Sequence, residues 1–311
     1  MQNLILVATQ VGVLFALMAF GGAARRFRLV GDRAIEGFAN LLMIVITPCV
    51  IVDSFQRPFE SAALHGLAAA FALAVGGHLL VIALAYLCVR HRDSDTCRPL
   101  RLAAVFSNAG FMGIPLEQAV LGADGVFYGV VYVVVFNLFI WSWGLKTMSG
   151  TFADRRAAVM KMVFNPGTIG LAIALPLYVG EIALPGVLAT SVRHMANVNT
   201  PLAMIVIGYS LAGAKLGKVL ADCWVYVAAA IRLIAYPLLM IGVLWLLRAQ
   251  LDRNLMLALT IAASAPVAAM VSMFAVKFRR DVDTAVAVVS GTTLLSIVTM
   301  PLLIAFAMEV L

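Results

Sequence analysis

Charge is what this chain has least of. Only 12% of its 311 residues are Asp, Glu, Lys or Arg, against 63% that are hydrophobic. Soluble domains carry about 25% charged and about half apolar residues, so an ordinary soluble fold is excluded. Carboxylates are scarcer than cations, 15 against 22. Glu36, Asp53, Glu117 and Glu309 fall towards the ends of apolar stretches, and no Asp pair sits at the middle of one. That weighs against cation–proton exchange, which needs a buried titratable acid. Glu117 remains the best carboxylate for ion coupling, but its place near a span end predicts a surface-facing side chain. The four cysteines show no paired spacing, which excludes a disulfide framework and a cysteine metal site. The four histidines (65, 78, 91 and 194) are scattered. Neither a metal, a cofactor nor a catalytic cluster is expected, so the chain is not read as an enzyme. A sensor would need a soluble output domain, for which no length is left.

What is there is long apolar runs. Stretches of 18 or more residues with few charges read as membrane spans. Ten are predicted, at 4–23, 35–55, 64–89, 102–121, 126–147, 166–184, 188–211, 222–247, 255–276 and 284–309. The first lacks a basic flank and a cleavage site, and is read as a retained helix. The formal charge of +7 suggests an anionic partner such as nucleic acid until its distribution is seen. Seventeen of the 22 basic residues fall in odd-numbered connections, among them Arg25, Arg26, Arg90, Arg92, Arg155, Arg156, Lys215 and Arg280. Even-numbered connections hold three, Arg57, Arg248 and Arg253. Positive residues accumulate on the cytoplasmic side, which places both termini outside. The basic excess is therefore a topology signal, with the lipid bilayer as the partner and no nucleic acid expected.

Two prolines interrupt equally apolar spans 151 residues apart, Pro115 in span four and Pro266 in span nine. Thr47-Pro48 and Thr200-Pro201 form a second pair, 153 residues apart, read as hinge or scaffold positions. Proline removes a backbone donor and clashes with the preceding turn, and Gly110 loosens the same stretch. Matched interruptions in two halves point to a secondary transporter whose site lies at the repeat interface. Residues 1–148 are read as a first repeat of five spans and 164–311 as a second, joined by a cytoplasmic connection at 149–163. Five is odd, so the second repeat runs upside down relative to the first. Helix N-termini meeting at the crossed breaks would suit a carboxylate.

The candidate substrate-binding residues are Ser107, Asn108, Gly110 and Pro115 in span four, Ser264 and Pro266 in span nine, Arg232, Asn137 and Tyr132. Asn108 can donate and accept hydrogen bonds, either to a substrate or to broken helix ends. Ser107 and Ser264 are weaker, since serine often bonds its own helix backbone. Arg232 lies near a span midpoint, where a guanidinium faces a cavity or a partner. It either attracts an anion or tethers helix ends. Asn137 and Tyr132 in span five are candidates to line the same cavity. His78 corresponds to Arg232 at an offset of 154 and is read as a packing residue; Arg193 is read as reaching to the headgroups, and Trp224 and Trp245 as interfacial anchors.

The string Asn108-Ala109-Gly110-Phe111-Met112-Gly113-Ile114-Pro115-Leu116 resembles the fourth span of the auxin efflux carrier family. So do Ala265-Pro266, Phe274-Ala275, the run 290–296 (Ser-Gly-Thr-Thr-Leu-Leu-Ser), Thr299-Met300-Pro301, and Arg232 followed by Pro237. The resemblance implies an all-α membrane fold like that of sodium–bile acid symporters and sodium–proton antiporters. In it two inverted five-helix repeats cross their broken helices four and nine. Spans one, two, six and seven would form a scaffold, often a homodimer, and Asn108 would contact substrate or order the crossover. The short middle connection points to the bacterial branch, hence the bacterial inner membrane and dicarboxylates such as malonate or malate. The expected function is a secondary carrier of a small organic anion. Alternatives are a sodium-coupled symporter of bile-acid type, a cation–proton antiporter, a channel or a membrane sensor.

Overall fold

A computed structural model describes residues 1–150, 160, 163–214 and 222–311. Asp154, Arg155, Arg156 and Lys161 of the central connection, and Lys215 and Lys218, lie outside the described residues. Twelve helices are named here: α1 (Gln2–Arg26), α2 (Asp32–Ser54), α3 (Ser61–Cys88), α4 (Ser94–Val105), α5 (Ile114–Leu121) and α6 (Ala123–Ser149). After the central connection come α7 (Pro166–Val179), α8 (Gly186–Ala212), α9 (Cys223–Leu247), α10 (Arg253–Ser264), α11 (Met270–Lys277) and α12 (Val282–Val310).

Seven of these, α1, α2, α3, α6, α8, α9 and α12, are long and apolar enough to cross a membrane. Their bounds match the expected spans to within a few residues. The chain is a multi-pass integral membrane protein. Its outer surface is apolar, with Phe20, Ile44, Leu79, Leu246 and Val298 exposed, as hydrocarbon surroundings require. The apolar run at 166–184 makes a shorter helix, because α7 stops at Val179 before Gly180 and a left-handed Glu181 (φ 52°).

The other two expected spans are broken. Residues 94–121 form α4, a gap at Phe106–Asn108, a widened turn at Ala109–Gly113 and then α5. Residues 253–277 form α10, a gap at 265–269 and then α11. Helix α4 begins eight residues before the expected span, because Asp93 caps it by accepting from the Asp95 N–H at 3.1 Å. Hydropathy does not register such polar first turns.

Prolines explain three of the four widened turns among the described residues. Turns of i→i+5 spacing at Leu42–Ile46, Ala109–Gly113 and Ile231–Ala235 each end two residues before Pro48, Pro115 or Pro237, whereas the one at Ile140–Gly144 has no proline after it. A proline lacks the N–H that would close the preceding α-turn, and its ring crowds the carbonyl four residues back. Widening that turn relieves the crowding without breaking the rod. At the first of them the Thr47 hydroxyl donates to the Leu42 carbonyl at 2.8 Å.

Close packing holds α1 on α8. A Cβ added at Gly208 would lie 1.9 Å from the Met18 carbonyl oxygen, and one at Gly21 would lie 2.1 Å from that of Ile205. Small residues let membrane helices approach backbone to backbone, where no hydrophobic driving force separates helix from lipid.

Candidate functional site

The two broken segments bind each other. Ser107 and Val267 form an antiparallel bridge. The Asn108 N–H donates to the Pro266 carbonyl at 2.6 Å, and the Ala268 N–H donates to the Phe106 carbonyl at 2.9 Å. The Val267 N–H donates to the Thr292 hydroxyl of α12 at 3.2 Å. Backbone without helical partners survives at this depth only if protein satisfies it, and here each break satisfies the other.

A cavity of about 140 Å³ adjoins this crossing. Its polar lining is Thr47, Ser107, Asn108, Asn137 and Asn165; Met43, Phe111, Phe136, Met270 and Met273 supply most of the apolar wall. Among the described residues, no ionisable side chain lines it. Three helix beginnings do: the 109–113 turn that feeds α5, Ala269–Met270 of α11, and Asn165–Pro166 of α7. First-turn N–H groups have no intrahelical acceptor and carry the positive end of the helix dipole. The cavity therefore offers an anion partial positive charge and amide donors without a fixed cation.

Asn108 is buried, yet its side-chain amide makes no hydrogen bond among the described residues and so faces the cavity unengaged. Asn137 donates to the Val133 carbonyl at 2.9 Å, which turns its amide within α6. The Ser107 hydroxyl lies 3.5 Å from that of Tyr132, which lies 3.3 Å from that of Tyr236, a buried chain leading away from the cavity.

Of the residues singled out in the sequence, Ser107, Asn108, Gly110, Asn137 and Thr47 line the cavity. Pro115, Ser264, Pro266, Arg232, Tyr132, Pro48, Thr200 and Pro201 do not. Asn165 was missed. It caps α7 by accepting from the Thr168 N–H at 3.1 Å, and the Asn165-Pro166 pair is a helix-start signature that marks it. The methionines of α2 and α11 carried no signal at all.

Arg232 is fully buried behind the crossing. Its Nη1 donates to the Val105 carbonyl at 2.8 Å and its Nη2 donates to the Ala263 carbonyl. Those carbonyls end α4 and α10, so one guanidinium caps the negative ends of both half-helices. Its plane stacks 4.7 Å over Tyr236. This arrangement provides the tether. Its charge answers the C-terminal ends, and the positive ends are left to the cavity.

Three other expectations meet the structure. His78 is buried and stacked on Phe139 (5.0 Å, 13°), with Nδ1 2.8 Å from the Ala74 carbonyl, as a packing histidine would be. Arg193 is exposed and lies 3.5 Å from Asp53. Glu117 corrects its expectation: it is fully buried rather than surface-facing, because α6 presents Gly129 to it and leaves room for the carboxyl.

The family model described as "Membrane transport protein" matches the chain twice, over residues 6–158 and again over 151–304. The chain belongs to that family, the auxin efflux carriers. Its relatives include an "Uncharacterized transporter" of Methanothermobacter thermautotrophicus, 25% identical over 293 residues covering 93% of this chain and 94% of that one. Each match of the family model contains one of the two breaks and one edge of the cavity, Ser107–Asn108 in the first and Ala268–Met270 in the second. The cavity of this membrane transport protein is thus lined from both matched stretches.

Proposed function

We propose that the protein is a secondary carrier that moves a small organic anion by alternating access. The fold reading behind it is ten spans in two inverted five-helix repeats, 1–148 and 164–311, with broken spans four and nine crossed. The double family match and the paired breaks support that reading. The observation that carries the function is the cavity floored by the crossing, where three helix starts converge on amide side chains and no cation is fixed.

A carboxylate placed between Asn108 and the starts of α5 and α11 accepts hydrogen bonds from donors already in position. The volume of about 140 Å³ suits a short acid of the malonate or malate class. A cation exchanger would need a carboxylate here, and the lining has none. Arg232 holds the two half-helices as one unit, so the site moves without dissolving its crossing.

On the topology read from the basic connections, the cavity faces the cytoplasm of a bacterial inner membrane. The opposite side is closed by Arg57 on Asp124 (2.5 Å), Asn254 on the same carboxylate (3.3 Å), the Leu184 N–H on Gln56 (2.8 Å) and the Glu60 N–H on Tyr178 (3.0 Å). Rocking of the crossed unit against the scaffold would open these contacts and close the cavity.

The test is counterflow in proteoliposomes loaded with unlabelled malonate, malate or indole-acetate. Saturable exchange of one labelled acid, lost in Asn108→Ala with folding intact, is the expected result. Flux that never saturates would make the protein a channel, and no flux of any acid would remove the organic-anion assignment.

A further inference from the structure

Glu117 is a buried ionisable group with no part in the site described so far. It lies in α5 and is not among the residues that line the cavity. Its side chain is fully buried, and neither carboxyl oxygen has a hydrogen-bond partner among the described residues. The slot is shaped around it. A Cβ on Gly129 would lie 1.7 Å from Oε2, so the carboxyl fills the place a side chain on α6 would take. A Cβ on Gly113 would lie 3.8 Å from Oε1.

Among the described residues, no element packed closely on α5 supplies a countercharge. The elements packed on α5 are the 109–113 turn, α1, α6 and α10. The turn has no ionisable side chain. On α1, Arg25 and Arg26 sit in the last turn, with Arg25 paired to Asp32 at 3.5 Å; the amino terminus at the other end lies 3.7 Å from Glu309. On α6, Asp124 is held by Arg57, the Tyr128 ring packs on Gly66, Tyr132 joins Ser107 and Tyr236, and Lys146 lies in the last turns. On α10, Arg253 donates to the Met308 carbonyl at 2.7 Å.

An uncompensated charge at this depth is costly, and ionisable groups kept within membrane spans mark ion or proton pathways. A hard metal cation needs several oxygen ligands at once, whereas the groups found against the carboxyl are Gly129 and Gly113, which bring no side-chain oxygen. A proton cancels the charge and needs no more room than the carboxyl has. A second cavity of about 10 Å³, roughly the space of one water, shares Thr47, Gly110 and Val133 with the main cavity. Its lining includes Ile114 and Val130, next in sequence to the two glycines against Glu117.

We propose that Glu117 is a proton-binding site that couples anion movement to the proton gradient. Its carboxylate takes up one proton on one side of the membrane, becoming the neutral acid, and returns it on the other side as α5 moves with Asn108. The proposal rests on the carrier reading above.

Two measurements on the full-length protein test it. Infrared difference spectra at neutral pH, wild type minus Glu117→Gln, read the proton directly and need no substrate. A protonated-carboxyl carbonyl band in wild type, absent from Glu117→Gln, is expected, and its absence from wild type would overturn the proposal. One pH unit is a factor of ten in proton activity; malonate is a dianion, so one proton per anion moves net negative charge, and in proteoliposomes held at zero membrane potential a one-unit inward-directed gradient should support about tenfold malonate accumulation in wild type. Glu117→Gln should keep malonate counterflow and lose that accumulation. Accumulation that persists in Glu117→Gln, or that follows sodium instead of protons, overturns the proposal. If Glu117→Gln fails to fold, Glu117→Asp should shift the band; an unshifted band would assign it to another carboxyl and overturn the proposal. If wild type shows no counterflow, the carrier reading fails, while the infrared result still decides the proton site.

Discussion

Asn108 and Pro266, 158 residues apart in sequence, are joined by a backbone hydrogen bond of 2.6 Å. The bond makes two helix breaks into one structural unit. Each break alone would expose backbone groups that hydrocarbon cannot satisfy; together they form the floor of a polar cavity.

Arg232 stabilises that unit by capping Val105 and Ala263 at once. Arg232→Met should leave both carbonyls unsatisfied, at roughly 2 kcal/mol or more in stability. Arg232→Lys should recover part of this, since an ammonium reaches carbonyls without the planar fork. Thermal unfolding in detergent measures the loss. A direct substrate contact would instead appear as a raised KM at unchanged stability, and that result would reassign the residue to the cavity.

The α1–α8 contact depends on the absence of a side chain at Gly208. Gly208→Ala puts a Cβ against the Met18 carbonyl, and overpacking of this kind costs about 1–3 kcal/mol. Gly12→Ala, on the same α1 but with nothing within 4 Å of the added Cβ, serves as the control and should be neutral. Equal unfolding temperatures for the two variants would show that α1 and α8 are not packed this closely.

Asp281 caps α12 and ties it to α4. Burial pushes its carboxyl up, but the Thr284 N–H and hydroxyl and the Thr96 hydroxyl outweigh burial, leaving it below the ordinary aspartate value of 3.8. A depressed carboxylate stabilises the fold above its unfolded value, and the contribution is lost as pH falls through the folded value. Asp281→Asn keeps a cap but not the charge, so it should unfold at a lower temperature than wild type at neutral pH. The gap should close on acidification below 3.8. A gap that is constant with pH would remove the carboxylate from the account.

Much of this was legible in the chain. The seven long helices, the breaks before Pro115 and around Pro266, and Asn108 as a cavity residue follow from residue type and position. Proline and glycine act on the backbone locally, and long apolar runs can meet few solvents other than lipid. Arg232 could be read only as buried and in need of a partner, because the sequence holds no record of which carbonyls α9 would meet. Asn165 is marked as a helix start but not as a cavity residue, and Met43 and Met273 carry no local mark at all, because the cavity forms only when α2, α7 and α11 come together.

The sequence by itself determined that this is a helical membrane protein with two matched interruptions, because burial of backbone in hydrocarbon is a property of each segment alone. Only the tertiary structure decided that Glu117 turns inward, that Arg232 holds helix ends and that the cavity has no fixed charge. The physical reason is that each depends on what lies opposite: a missing side chain at Gly129, two carbonyls from different segments, and three helix starts that meet only in the folded chain.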